Sequence, residues 1–98
     1  MELYKPYRVI LFNEKILNSF LRELYKKEKL SDKTIQQYYN SVLDFDLYLI
    51  FICGNWDSIC DYDFELFRKI LKRMNVTNRG INSRISHIKK FKEYYDIN

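Results

Sequence analysis

The residues best equipped for chemistry lie between Thr77 and Tyr95, in the stretch TNRGINSRISHIKKFKEYY. Asn82, Ser83 and Ser86 offer groups that hydrogen-bond to base edges or to phosphate oxygens. Arg79, Lys89 and Lys90 bring the charge that neutralises phosphates. An arginine can also grip guanine with two parallel bonds. On a helix, Ile81, Ile85, Ile88, Phe91 and Tyr95 form an apolar stripe roughly 120° wide at 100° per residue. The polar residues, His87 among them, then point the other way, and Arg79 sits just ahead of the first turn. A helix start with exposed amides favours a phosphate as well. Such a face suits holding a polyanion, not making or breaking bonds.

Catalysis and metal binding find no comparable constellation. The chain has one His and two Cys, and Cys53 and Cys60 form a lone C-x6-C pair. That set does not make a zinc site. In a reducing compartment the two thiols are expected to be buried or half-buried and unpaired. No catalytic residue, metal or cofactor is assigned.

A solvated helix face carries Lys and Ser too, so charge distribution decides between the readings. The net charge is only +4, but the charges are segregated. Residues 34 to 65 contain no Lys or Arg, yet carry Asp44, Asp46, Asp57, Asp61, Asp63 and Glu65. Residues 66 to 92 contain no Asp or Glu, yet carry nine basic residues from Arg68 to Lys92. The basic end attracts a polyanion and the acidic part resists one.

The elements that must position this face are helical. Gly is two and Pro is one, too few for a turn-rich β domain. Four helices are predicted. The first runs from about Asn13, a candidate N-cap, to Lys27, with Ile16, Phe20, Leu21 and Leu24 on one side. The second opens at LSDKT, where Ser31 caps and Leu30 packs back as a staple. Ile35, Tyr38, Val42, Phe45 and Leu49 form its stripe, and Gly54 suits its C-terminal cap. NWDSICDY is predicted as a loop. The third helix runs from Asp61 to about Met74, acids first and bases last, which complements the helix dipole. Phe64, Phe67, Ile70 and Leu71 are expected to face the core. Thr77 or Asn78 caps the fourth. Lys33, Thr34 and Gln37 stand at the start of the second helix. Lys33 and Gln37, four apart, share a face, and this trio can reach phosphate or bases beside the fourth helix.

Ninety-eight residues make one domain. The longest uncharged stretch, LYLIFICGNW, is shorter than the roughly 18 residues of a membrane span. The N-terminus lacks the layout of a signal peptide. A cytoplasmic protein with no membrane partner is expected.

In order and spacing, these motifs resemble the core-binding, or SAM-like N-terminal, domain of phage-type integrases of the tyrosine recombinase family. Members show LS-x-x-T-x-x-x-Y opening the second helix, which here reads Leu30, Ser31, Thr34 and Tyr38. A later phrase, S-x-R-T-I-N-R-x-L-S-x-L-R-x-F-Y-x-Y, is met here by Thr77, Arg79, Gly80, Ile81, Asn82, Arg84, Ile85, Ser86, Ile88, Lys89, Phe91 and Tyr94. The resemblance implies an all-α, compact four-helix SAM-like orthogonal bundle. It implies a module that clamps duplex DNA with its second and fourth helices. The implied contacts are Lys33, Thr34 and Gln37 from one helix, and Arg79, Asn82, Ser83, Ser86, Lys89 and Lys90 from the other. Gly80 replaces a common Thr and Ser83 a common basic residue, so binding by this domain alone is expected to be weak.

The family's catalytic tyrosine lies in a separate C-terminal domain. That domain is an expected partner, and this chain alone is not expected to catalyse recombination. Residues 13–95 are read as the core-binding domain and 96–98 as the start of a linker or tail. Residues 1–12 fit a short strand, an extra helical turn or an extended arm. The alternative is a stand-alone small protein that uses the same fold to bind a protein partner, such as a mobile-element regulator. Its many Tyr suit that use.

Overall fold

The computed structural model describes residues 14–97. The predicted arm at 1–12 and the Asn13 cap lie outside them. Among the described residues the chain forms α1 (Glu14–Lys26), α2 (Asp32–Phe51), a 3-10 turn at Trp56–Ser58, α3 (Asp61–Arg73) and α4 (Asn78–Ile97), with no strand. The all-α four-helix expectation holds.

Local chemistry sets the boundaries. Ser31 is extended (φ −68°, ψ 158°) and its hydroxyl accepts the Thr34 N–H at 3.3 Å, which starts α2. α3 begins where the Cys60 N–H donates to Asp63 Oδ2 at 3.1 Å, and it carries Asp61 and Asp63 first, Lys72 and Arg73 last. The Thr77 hydroxyl accepts the Gly80 N–H at 3.1 Å and starts α4.

α2 and α3 end in the same way. The Gly54 N–H reaches the Leu49 carbonyl at 2.8 Å and the Cys53 N–H the Ile50 carbonyl at 3.2 Å. After α3, Val76 N–H bonds to Leu71 and Asn75 N–H to Lys72 in the same pattern. The left-handed residue in each motif is Cys53 (φ 57°) or Asn75 (φ 64°). The sequence reading assigned the α2 cap to Gly54. Gly54 instead sits one residue later, and a residue with a Cβ adopts the strained conformation.

The core is aromatic. Phe45 meets Tyr48, Trp56, Phe64 and Phe67 at centroid distances of 5.2–5.4 Å. Phe91 meets Phe20 at 5.2 Å and Trp56 at 5.1 Å. Ile35, Val42 and Leu49 of α2 and Ile81, Ile85, Ile88 and Phe91 of α4 are buried as their stripes predict. So is Leu17 of α1, which the sequence reading omitted in favour of Ile16.

Three expectations are corrected. The segment predicted as a plain loop contains the 3-10 turn, and its Trp56 is fully buried. The Trp56 indole N–H donates to Asp46 Oδ1 at 2.8 Å, so the turn plugs the bundle and partners the buried Asp46 carboxylate of α2. Cys53 and Cys60 are exposed, not buried, because each occupies a cap at a helix end. Ile70 is 42 % exposed, since Phe67 and Leu71 take the positions that face inward.

Candidate nucleic-acid interface

α2 and α4 make the most extensive helix pairing, and the order of their contacts shows that they run in opposite senses. Tyr38 stacks on His87 (4.1 Å, 29°), Ser41 Oγ lies 3.0 Å from His87 Nδ1, and Asp44 Oδ2 lies 3.8 Å from Arg84 Nη1. Numbers rise along α2 as they fall along α4. The start of α2, with Lys33 and Thr34, therefore flanks the C-terminal half of α4. Arg79 stands at the opposite end of the pair, exposed in the first turn of α4.

Between the two helices lies an open groove of about 610 Å³. Gln37 and Ser83, one predicted residue from each helix, both line it, together with Ser41, Arg84 and His87. His87 was expected to point away from the core with the other polar residues. It is half-buried against α2, and burial lowers its pKa below the ordinary histidine value. The Ser41 hydroxyl lies 2.9 Å from the Gln37 carbonyl and 3.0 Å from His87 Nδ1, which ties the imidazole to α2.

A second groove, about 480 Å³, runs along the other side of α4 against α3. Asn82, Ser86, Lys89 and Lys90 line it, so five of the six predicted α4 residues divide between two grooves with α4 as the ridge between them, while Arg79 lines neither. Some are engaged within the molecule. The Lys90 ammonium bonds to the Glu28 carboxylate and lies 5.9 Å from the Tyr38 ring centre. That hydrogen bond to Glu28 holds the Lys90 pKa above the ordinary lysine value. Asn82 Oδ1 accepts from Arg68 Nη1 at 2.8 Å. Lys89 lies 5.2 Å from the Phe64 ring centre. On α2, the Thr34 hydroxyl accepts from Ser31 at 3.0 Å, which ties it to the cap, whereas Lys33 is exposed.

The sequence reading missed His87 as a groove residue, and it missed Arg68, Ser41 and Arg84. A helical wheel assigns a residue to a face. It does not say which neighbouring helix closes on the edge of that face, and these four sit at such edges. Among the described residues no group of His, Cys, Asp or Glu is arranged to hold a metal ion.

α4 thus forms a cation-bearing ridge flanked by two open grooves. Residues 17–95 match the family model for the phage integrase N-terminal SAM-like domain, and the chain belongs to that family. In tyrosine recombinases this domain is a non-catalytic part, and integrase domains work in general with DNA and with a catalytic domain. No curated protein and no solved structure matches the chain significantly. Among the described residues no helix is long and apolar enough to cross a membrane.

Proposed function

We propose that this chain is a DNA-binding module of an integrase or site-specific recombinase, which clamps duplex DNA with α2 and α4 and performs no catalysis alone. The observation that carries the reading is the shared groove, in which Gln37 and Ser83 come from the two helices expected to meet the duplex. Family membership supports it, as does the acid-free stretch that ends with Lys92. Residues 13–95 act as the binding unit in this reading. Lys33 and Arg79, exposed at opposite ends of the helix pair, steer the phosphate backbone. Asn82, Ser83, Ser86 and Gln37 supply hydrogen bonds, and Thr34 supports the α2 start. Lys89 and Lys90 add charge from the second half of α4.

Fluorescence anisotropy with a labelled duplex at low salt tests it. Arg79→Glu and Ser83→Glu each place a carboxylate on the proposed face and should weaken binding at least tenfold, while the same charge reversal at Arg73, exposed on α3 and lining neither groove, should weaken it far less. Equal affinities for all three variants would refute the assignment of this face.

A second reading, a stand-alone protein that binds a protein partner, draws on one feature. Tyr62 (67 % exposed), Ile70 and Met74 (66 %) lie at helical spacing along the outer side of α3. A partner held at the outer side of α3 by a chain that takes up no duplex at low salt favours this second reading.

A further inference from the structure

We propose that the α3–α4 groove seats a backbone phosphate of the duplex and that Arg68, from the third helix, is the side chain that grips it. The proposal rests on the reading of the chain as a duplex-DNA binder, and adds a third helix to its interface.

A guanidinium only donates hydrogen bonds. The atom of Asn82 that lies 2.8 Å from Arg68 Nη1 is therefore the amide oxygen, and the amide nitrogen faces away from Arg68. Arg68 thus turns Asn82 into a donor towards the outside. The remaining Arg68 N–H groups make no hydrogen bond among the described residues; Glu65 Oε1, 3.9 Å from Nε, forms an exposed ion pair with Arg68 that a phosphate must displace. The Ser86 hydroxyl stands one turn further along the groove. Lys89, held over the Phe64 ring of α3, brings its ammonium to the same side.

The groove is therefore lined by donors: Arg68, the Asn82 amide nitrogen, Ser86 and Lys89. Phosphodiester oxygens only accept. From Asn82 to Lys89 these donors spread over about 10 Å of helix, a reach that suits a running sugar–phosphate backbone better than a single carboxylate. Glu93 lines the same groove, but lies about 16 Å along α4 from Asn82. It repels a phosphate from that end and leaves the Arg68–Asn82–Ser86 end as the seat.

The test is duplex binding by the whole chain across a salt series, with Arg68→Ala and Arg68→Lys. Arg68→Ala should weaken binding roughly tenfold and flatten the log–log salt slope by about 0.9, the loss of one phosphate contact. Arg68→Lys should keep the slope and still lose affinity, because an ammonium lacks the planar fork that serves Asn82 and a phosphate together. Lys89→Ala repeats the slope test should Arg68→Ala fail to fold. An unchanged affinity and slope in Arg68→Ala would overturn the proposal. NMR shifts confined to Gln37 and Ser83 would also overturn it, and would leave the DNA-binding reading standing. Inorganic phosphate that shifts Arg68 when duplex does not would mark a free-anion site and overturn it too. If no duplex binding occurs at low salt, the DNA-binding reading falls and the phosphate seat falls with it.

Discussion

Lys90 is a proposed DNA contact, yet its ammonium is already held by Glu28. Glu28→Gln isolates the cost of that arrangement. The two side chains are 39 % and 40 % exposed, so the pair contributes only about 0.2–1 kcal/mol. This is what a phosphate must offset to take Lys90. A second contribution is repulsion. A carboxylate and a phosphate bridged by one ammonium have charge centres about 7 Å apart, which in water amounts to roughly 0.6 kcal/mol. Together the two effects reach about 1 kcal/mol, close to fivefold in affinity. Glu28→Gln should therefore bind a labelled duplex about fivefold more tightly at low salt, with folding stability altered by less than about 1 kcal/mol. The gain should shrink at physiological salt, where the screening length is about 8 Å. Unchanged or weaker binding by a folded Glu28→Gln protein would show that Lys90 does not meet the duplex.

Four further outcomes follow from the same structure. Cys53→Gly should raise stability by about 1 kcal/mol, because Cys53 is exposed and adopts a left-handed backbone (φ 57°) that glycine accepts without strain; thermal melts should show a rise of roughly 4–8 °C. Trp56→Phe removes the indole donor from a buried carboxylate and should cost about 2–3 kcal/mol by urea denaturation. His87 has a pKa lowered by burial, so it favours the neutral form in the folded state; the stability it contributes is present above the ordinary value of 6.5 and is lost as pH falls through the folded value. As the chain has one histidine, a single imidazole resonance followed by NMR reads that midpoint directly, and a midpoint above 6.5 would contradict the burial assigned to it. Tyr48 is pushed up to about 12, first by burial and then by Asp63, so the protein should lose stability between about pH 10 and 12, and Tyr48→Phe should flatten that loss.

Much of the fold was legible because its cues are local. Ser31 and Thr77 mark helix starts through their own hydroxyls, and the acids and bases of α3 fall in the turns that the dipole favours. The stripes of α2 and α4 named half of the buried core. What escaped depends on tertiary partners. Trp56 is buried against Phe45 and Phe91, and Asp46, ten residues earlier, receives the N–H that burial would otherwise leave unpaired. His87 reads as polar surface until α2 supplies Tyr38 and Ser41 beside it. Arg68 reads as one of many cations until Asn82, fourteen residues away, shows where it turns. The candidate face was legible as a composition. Its division into two grooves along α4 was not, since that depends on where α2 and α3 pack.

The central claim is that the faces of α2 and α4 hold duplex DNA. The most direct measurement is an NMR titration of the isotope-labelled protein with a short duplex at low salt, repeated at high salt. The account predicts shifts concentrated at Lys33, Gln37, Arg79, Asn82, Ser83, Ser86 and Lys89, fading as salt releases the phosphate contacts. Absence of shifts at millimolar duplex, or shifts confined to the outer side of α3 around Tyr62 and Met74, would contradict it.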